Sequence, residues 1–240
     1  MTISLEQAET RLLQGLWLRH EEPLLARRIL AACTRRHLRC GVAVYGPDTP
    51  AAGLVGLAAG RIRVEIESGP DDPGQFAVVT PGFVLSDLPV PPGLTRPVAA
   101  VATSPCTILA ASPRRASELC AADPEVAPAL IRLVTINLWT TLGFVSMLRR
   151  QDNGERVATL LCLLAGTDLA DGLRLPVSQA ELASMAAISR TTLVAALRIL
   201  ERLDLVACDY RTIVVRDAAG LLALCNGTLS SDRNRQAPAV

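Results

Sequence analysis

The sequence predicts an α+β fold: N-terminal helices, an antiparallel β-roll (jelly-roll-like) or sandwich, one long helix, and a C-terminal winged helix-turn-helix. Three observations predict it. From His37 to about Ser112, Gly and Pro punctuate short apolar segments about every 8–12 residues, the texture of antiparallel strands. From Glu125 to Arg150 an apolar-rich run continues with few breakers. From Ser178 to Arg216 a short helix, a turn, a second helix and a hairpin follow in order.

Size and composition agree. The chain has 240 residues, roughly 1.6 times a ~150-residue one-domain prior. Its 50% hydrophobic and 20% charged residues support a sizeable core and exclude a disordered polymer. The net charge of +1, from 24 basic and 23 acidic residues, excludes a strongly cationic tail. Every basic residue is Arg. Two Trp, two Tyr and three Phe are too few for a surface that stacks single-stranded bases.

The opening Met-Thr-Ile-Ser-Leu-Glu lacks the charged and apolar regions of a signal peptide. No apolar run approaches the ~18 residues of a membrane span, and the richest, Val157 to Gly166, suits a buried helix. Seven Cys are widely spaced, and none form a C-x-x-C pair. Six sit among apolar neighbours and read as small core residues, not as zinc or cluster ligands. These features predict a soluble protein of a reducing cytoplasm, with no membrane partner, no metal site and no resident cofactor.

Taken in order, Leu5, Leu12, Leu13, Leu16, Leu24, Leu25 and Ile29 give the first 35 residues helical spacing, broken by Pro23. The clearest strand is Arg61 to Glu67, where Ile62, Val64 and Ile66 share one face. Leu54 to Ala58 precedes it through Gly60, which suggests a hairpin. Further strands are expected at 42–45, 75–79, 96–103 and 106–111. Leu88-Pro89-Val90-Pro91-Pro92-Gly93 reads as a loop, because three prolines cannot donate to a ladder. Pro113 and Pro124 suit first turns of helices.

Within Glu125–Arg150, Leu130, Leu133, Asn137, Thr141, Phe144 and Leu148 have near-heptad spacing. A helix of this length is expected to pair with a second copy, Asn137 fixing the register. Gln151-Asp152-Asn153-Gly154 breaks it. A further helix follows over Arg156–Ala165, then a short strand or link over Leu173–Val177. The divisions are therefore 1–122 (helices and roll), 123–151 (dimerisation helix), 152–225 (winged helix) and 226–240, a polar tail expected to be disordered.

The segment 178–216 carries the functional signal. Ser178, with Gln179 and Glu181 after it, opens a capping box. Ser189 caps a second helix whose buried face is Leu193, Ala196, Leu197 and Leu200. Small residues at Ala183 and Ala187 let the two helices cross closely, so the second projects its N-terminus. There Ser189 and the helix end suit a phosphate, Arg190 suits bidentate contact with guanine, and Thr191 and Thr192 suit a phosphate or a thymine methyl. Arg198, and Arg211 between the last two strands, suit phosphates on either side. The competing reading is a helical hairpin with a ribbon that only packs, since 178–216 holds five Arg against four acids.

This order resembles the CRP/FNR family of bacterial transcription regulators over about residues 10–225. The carrying motifs are Ser189-Arg190-Thr191-Thr192 and Tyr210-Arg211-Thr212-Ile213-Val214-Val215, with Gly60-Arg61-Ile62-Arg63-Val64 in the roll. The resemblance implies a homodimer paired through the long helix, a two-fold-related operator in double-stranded DNA, and contact with RNA polymerase. Two departures stand in the recognition helix. Thr191 replaces a usual Glu and Ala195 a frequent Arg, so the preferred half-site should differ from the family's usual one. Ala187 stands at a usual turn Gly, at a cost of about 1 kcal/mol if the position needs positive φ.

The roll departs further. In cyclic-nucleotide-binding members a cassette supplies a Glu for the ribose and an Arg-Ser/Thr pair for the phosphate. Here Arg96 matches the Arg, Ser86 replaces the Glu with Asp87 beside it, Pro97 replaces the hydroxyl, and Thr141 lies where the long helix touches the base. An iron–sulfur cluster lacks its N-terminal cysteines. Haem would need His20 or His37 as its ligand. Three alternatives stay open beside a DNA-binding regulator: a winged-helix protein-interaction module, a ligand sensor that binds no DNA, and an enzyme on a cupin-like roll. The last needs clustered His and carboxylates that the sequence does not supply, so no catalysis is expected.

Overall fold

The computed structural model describes residues 3–46, 49, 51–67, 73–87 and 97–226. They fall into two compact units, 1–139 and 140–240. The Pro-rich loop at 88–93, Arg96 and nearly all of the tail lie outside the described residues.

The first unit opens with α1 (Leu5–Leu13), started by a capping box in which Gln7 N donates to Ser4 Oγ at 3.1 Å and Ser4 N to Gln7 Oε1 at 2.9 Å. Pro23 is the first residue of α2 (Pro23–Ala31), where its missing N–H costs little. Two antiparallel four-stranded sheets follow. One has the order β1 (Thr34–Leu38), β8 (Cys106–Ala111), β3 (Gly53–Ala59), β6 (Val84–Asp87). The other has the order β2 (Ala43–Tyr45), β7 (Val98–Ala102), β4 (Ile62–Glu67), β5 (Pro73–Val79).

The hairpin expected across Gly60 does not form. β3 and β4 lie in different sheets, and Gly60 turns the chain from one to the other at φ +94°. A Cβ there would stand 2.5 Å from the Pro105 carbonyl oxygen, so only glycine fits the corner.

β3 is buried on both faces. Leu54 and Ala58 join Leu109, Ala111, Leu12, Leu25 and Ile29 in a core between the sheet and the helices. A Cβ on Gly56 would meet Leu12 Cδ1 at 2.7 Å, so its absence lets α1 approach the strand. Val55, Leu57 and Ile108 are buried on the other face, and the second sheet buries Ile62, Val64, Ala100 and Ala102.

After α3 (Pro113–Ala122) comes the long helix α4 (Val126–Leu148). Val126, Ala129, Leu130 and Leu133 enter the core of the first unit. Glu21, 8% exposed, accepts from Trp17 Nε1 at 2.9 Å and takes a two-pronged contact from Arg132 at 2.9 and 2.5 Å. That fork anchors α4 to the chain after α1.

The seam expected on this helix is out of phase. Leu130, Leu133 and Phe144 are buried within the chain. Asn137 Nδ2 donates to Val84 O at 3.3 Å and Ser86 Oγ at 3.2 Å, so its role lies within the first unit. The outward apolar stripe is Ile131, Val134, Leu138, Leu142, Val145 and Leu148, all 39–67% exposed. Ile131, Leu138 and Val145 are spaced by heptads. Of the expected seam only Leu148 lies on this stripe, while Thr141 is exposed beside it.

Because α4 is apolar on two faces, an 18-residue window reaches a mean hydropathy of 1.4. By length and composition the helix could cross a membrane, which corrects the reading that no such run exists. In the fold, one of its apolar faces belongs to the core.

The second unit contains α5 (Asn153–Ala165), β9 (Arg174–Leu175), α6 (Gln179–Met185), α7 (Arg190–Arg202), β10 (Val206–Asp209), β11 (Thr212–Val215) and α8 (Ala218–Cys225). The three strands form one antiparallel sheet in the order β10-β11-β9. α5 packs against α7 and α8. The helix α8 follows from Asp217, whose carboxylate accepts from Gly220 N at 2.8 Å.

Candidate nucleic-acid interface

The site is built on α6, α7 and the β10–β11 hairpin. Ser178 caps α6. Its hydroxyl accepts from Glu181 N at 3.2 Å, and Glu181 Oε2 accepts from Ser178 N at 2.8 Å. Leu182, Ala183 and Met185 are buried behind the helix, which leaves Gln179 and Ala180 outside.

α6 ends in a tight left-handed turn. Ala187 N donates to Ser184 O and Ile188 N to Ala183 O, both at 3.1 Å. This is a Schellman pair, and Ala187 takes the position usual for glycine, at φ +52°. The condition set by the sequence is therefore met: the position needs positive φ, and Ala occupies it at a cost. The turn brings α7 off at 103° to α6, within the range of helix-turn-helix units.

Ser189 caps α7, accepting from Thr192 N at 3.0 Å. A second hydrogen bond of 2.8 Å joins the two hydroxyls, so Thr192 is engaged with the cap. Leu193, Ala196, Leu197 and Leu200 are at most 2% exposed, which fixes the helix on its own unit. Each such leucine contributes about 1.5–3 kcal/mol by burial. With that face committed, Ser189, Arg190, Thr191, Ala195 and Arg198 are exposed. Arg198 lies two turns beyond Arg190, about 12 Å along the axis.

Glu201 Oε1 accepts from Cys208 N at 2.9 Å and ties the end of α7 to the hairpin. Burial and the Glu201 carboxylate push the Cys208 thiol up to about 12. At the hairpin tip Arg211 is exposed with φ +51°, and Tyr210 is 87% exposed. Arg174 of β9 donates to Asp209 Oδ2 at 2.6 Å. That guanidinium, then Tyr210 N, hold the Asp209 carboxyl below its usual range. Sequence reasoning gives Tyr210 only as part of the tip, because its polar neighbours offer no reason to single it out.

Of the residues singled out in the roll, those described have partners within the first unit or face outward. Asp87 is buried, and its Oδ2 accepts from Ala52 N at 2.5 Å. Ser86 Oγ accepts from Asn137. Pro97 is exposed and Arg96 lies outside the described residues. His37 Nδ1 is 3.1 Å from Thr107 Oγ1 on the neighbouring strand. Among the described residues, no three of His, Cys, Asp and Glu are grouped so as to hold a metal ion.

Comparison with known proteins agrees with this geometry. Residues 155–224 match the family of the Crp-like helix-turn-helix domain. No curated protein sequence matches the chain. Among solved structures, FixK2 from Bradyrhizobium japonicum superposes with a TM-score of 0.67 at 22% identity, over 80% of this chain and 96% of that one. The c-di-GMP responsive global regulator CLP of Xanthomonas campestris gives 0.60 at 22%, over 82% and 100%. A CRP/FNR-family transcriptional regulator from Thermus thermophilus gives 0.60 at 20%, over 80% and 98%. Residues 155–224 are thus a Crp-like helix-turn-helix domain, in a chain that has the fold of the CRP/FNR transcription regulators.

Proposed function

We propose that the chain is a homodimeric, sequence-specific regulator of transcription that lays α7 in the major groove of double-stranded DNA. The observation that carries this reading is the outward N-terminus of α7, held at 103° to α6 with its other face buried. Arg190 is the base reader, set to donate to guanine O6 and N7. Thr191 meets a phosphate or a thymine methyl. Ser189, Thr192 and the helix end meet one phosphate, with Ser178 and Gln179 at the start of α6 beside the backbone. Arg198 and Arg211 neutralise phosphates on either side.

In the divisions 1–122, 123–151 and 152–225, the middle segment pairs two copies. The exposed stripe Ile131, Leu138 and Val145 supports that pairing. Pairing would set two recognition helices one DNA turn apart, about 34 Å. The protein then works in the cytoplasm, with RNA polymerase as its further partner, and it is assigned no reaction. A small effector in the roll would act by biasing α4. Because Ser86 and Asp87 serve the fold, a cyclic nucleotide is not the effector favoured.

Tyr210, 87% exposed at the hairpin tip, favours a second reading in which the winged helix docks a protein. Selection from a random duplex pool decides between them. DNA reading gives an enriched sequence with two related half-sites, whereas no enrichment at any salt leaves the protein-docking reading.

A further inference from the structure

α5 and α8 meet in the second unit, and the contact places two thiols face to face. Cys162 Sγ is 3.3 Å from Cys225 Sγ, across 63 residues of sequence. Cys162 is half-buried and Cys225 keeps 7% of its surface. Arg150 donates to the carbonyl oxygen of Cys225 and pairs with Glu155 at 3.4 Å. The contact with Cys162 and the nearby Arg150 charge draw the Cys225 thiol down against burial. The same thiol–thiol bond and burial push Cys162 up. Of the two, Cys225 beside Arg150 is thus the thiol favoured to ionise, with the second sulfur 3.3 Å away. By contrast, burial pushes Cys33 up to about 11 and Cys208 to about 12.

We propose that Cys162 and Cys225 form a redox modification site, in which hydrogen peroxide converts the pair to a disulfide between α5 and α8. The Cys225 thiolate attacks one peroxide oxygen. The S–O bond forms, the O–O bond breaks, and hydroxide leaves to become water with a solvent proton. Cys162, giving its proton to solvent, then attacks Cys225 Sγ. The S–S bond forms, the S–O bond breaks, and the second hydroxide leaves as water. The two sulfurs together lose two electrons, and the peroxide gains them. The sulfurs need to close from 3.3 Å to about 2.05 Å.

The bond would stiffen the support of the recognition helix. α5 packs directly on α7. The chain entering α8 is held to the end of α7 through Leu205 O, which accepts from Arg216 N at 2.8 Å and Asp217 N at 3.3 Å.

The test treats the reduced, full-length chain with stepwise hydrogen peroxide, followed by alkylation and peptide mass spectrometry. The expected result is a Cys162–Cys225 linked peptide before any other modification, with free thiols falling from seven to five and returning on reduction. The oxidised chain should also melt higher than the reduced one. Cys162→Ala should leave Cys225 as a sulfenic acid that dimedone traps, and Cys225→Ala should leave Cys162 unmodified. The wild-type peptide map stands as a test even if a variant fails to fold. Prior oxidation of the exposed Cys40, links to other cysteines, or equal reactivity of Cys162 in Cys225→Ala would overturn the proposal.

Discussion

The backbone N–H of Ile188 donates to the carbonyl of Ala183 at 3.1 Å, and this bond closes the turn that aims α7 away from α6. The turn forces Ala187 to φ +52°, where a Cβ is crowded.

Ala187→Gly should therefore stabilise the protein by up to about 1 kcal/mol, relief of strain exceeding the added freedom of the unfolded chain. Ala187→Val should destabilise it, since a β-branched residue is an outlier at positive φ. Urea unfolding monitored by circular dichroism measures both. A loss of stability in the glycine variant would show that the turn is not strained.

Arg190 and Arg211 should separate base reading from phosphate contact. Arg190→Ala should lose about 1–3 kcal/mol of preference at one base position per half-site. Arg211→Ala should weaken all duplexes alike and lower the slope of log affinity against log salt by about 1 for each phosphate it no longer neutralises. Titrations of selected and scrambled duplexes at several salt concentrations distinguish the two patterns.

The faces of α4 should separate pairing from folding. Leu138, 54% exposed, lies on the outer stripe, so Leu138→Glu should turn the proposed dimer into monomers that remain folded. Leu133, 1% exposed, lies in the core, so Leu133→Ala should cost about 2–5 kcal/mol of stability and leave pairing intact. Sedimentation velocity and unfolding, run on both variants, test the assignment.

The hairpin tip should carry an acid of low pKa. Arg174 holds Asp209 below its ordinary 3.8. A depressed carboxyl stabilises the fold above its ordinary value and loses that contribution as pH falls through the folded value. Arg174→Gln should raise the midpoint of an NMR titration of the Asp209 carboxyl carbon towards 3.8. An unmoved midpoint would mean the ion pair is not formed in solution.

The second unit is legible in the sequence because its signals are local. Caps at Ser178 and Ser189 and the spacing of Leu193, Leu197 and Leu200 define helices without long-range information. α8 is not legible in this way, because Ala218–Cys225 has no polar face to give it a period.

In the roll, alternation marks β4, but neighbours in sequence are not neighbours in a sheet there. The close packing of Gly60 on Pro105 and Cys106 marks the corner where the chain changes sheets, and neither partner is near Gly60 in sequence. β1 is an edge strand whose Thr-Arg-Arg-His run is exposed, so it lacks the apolar alternation that marks strands. On α4 both faces are apolar, and heptad spacing fits either. Which one enters the core depends on α1, α2 and β3, which the helix's own sequence does not contain.

Placing Arg190 against a guanine in the major groove is tested most directly by atomic substitution. Each guanine of a selected duplex is replaced in turn by 7-deazaguanine, which lacks the N7 acceptor, and affinity is measured for the wild type and Arg190→Ala. The expected result is one sensitive guanine in each half-site for the wild type and none for the variant. Equal losses in both proteins, or no sensitive guanine in either, would contradict the placement.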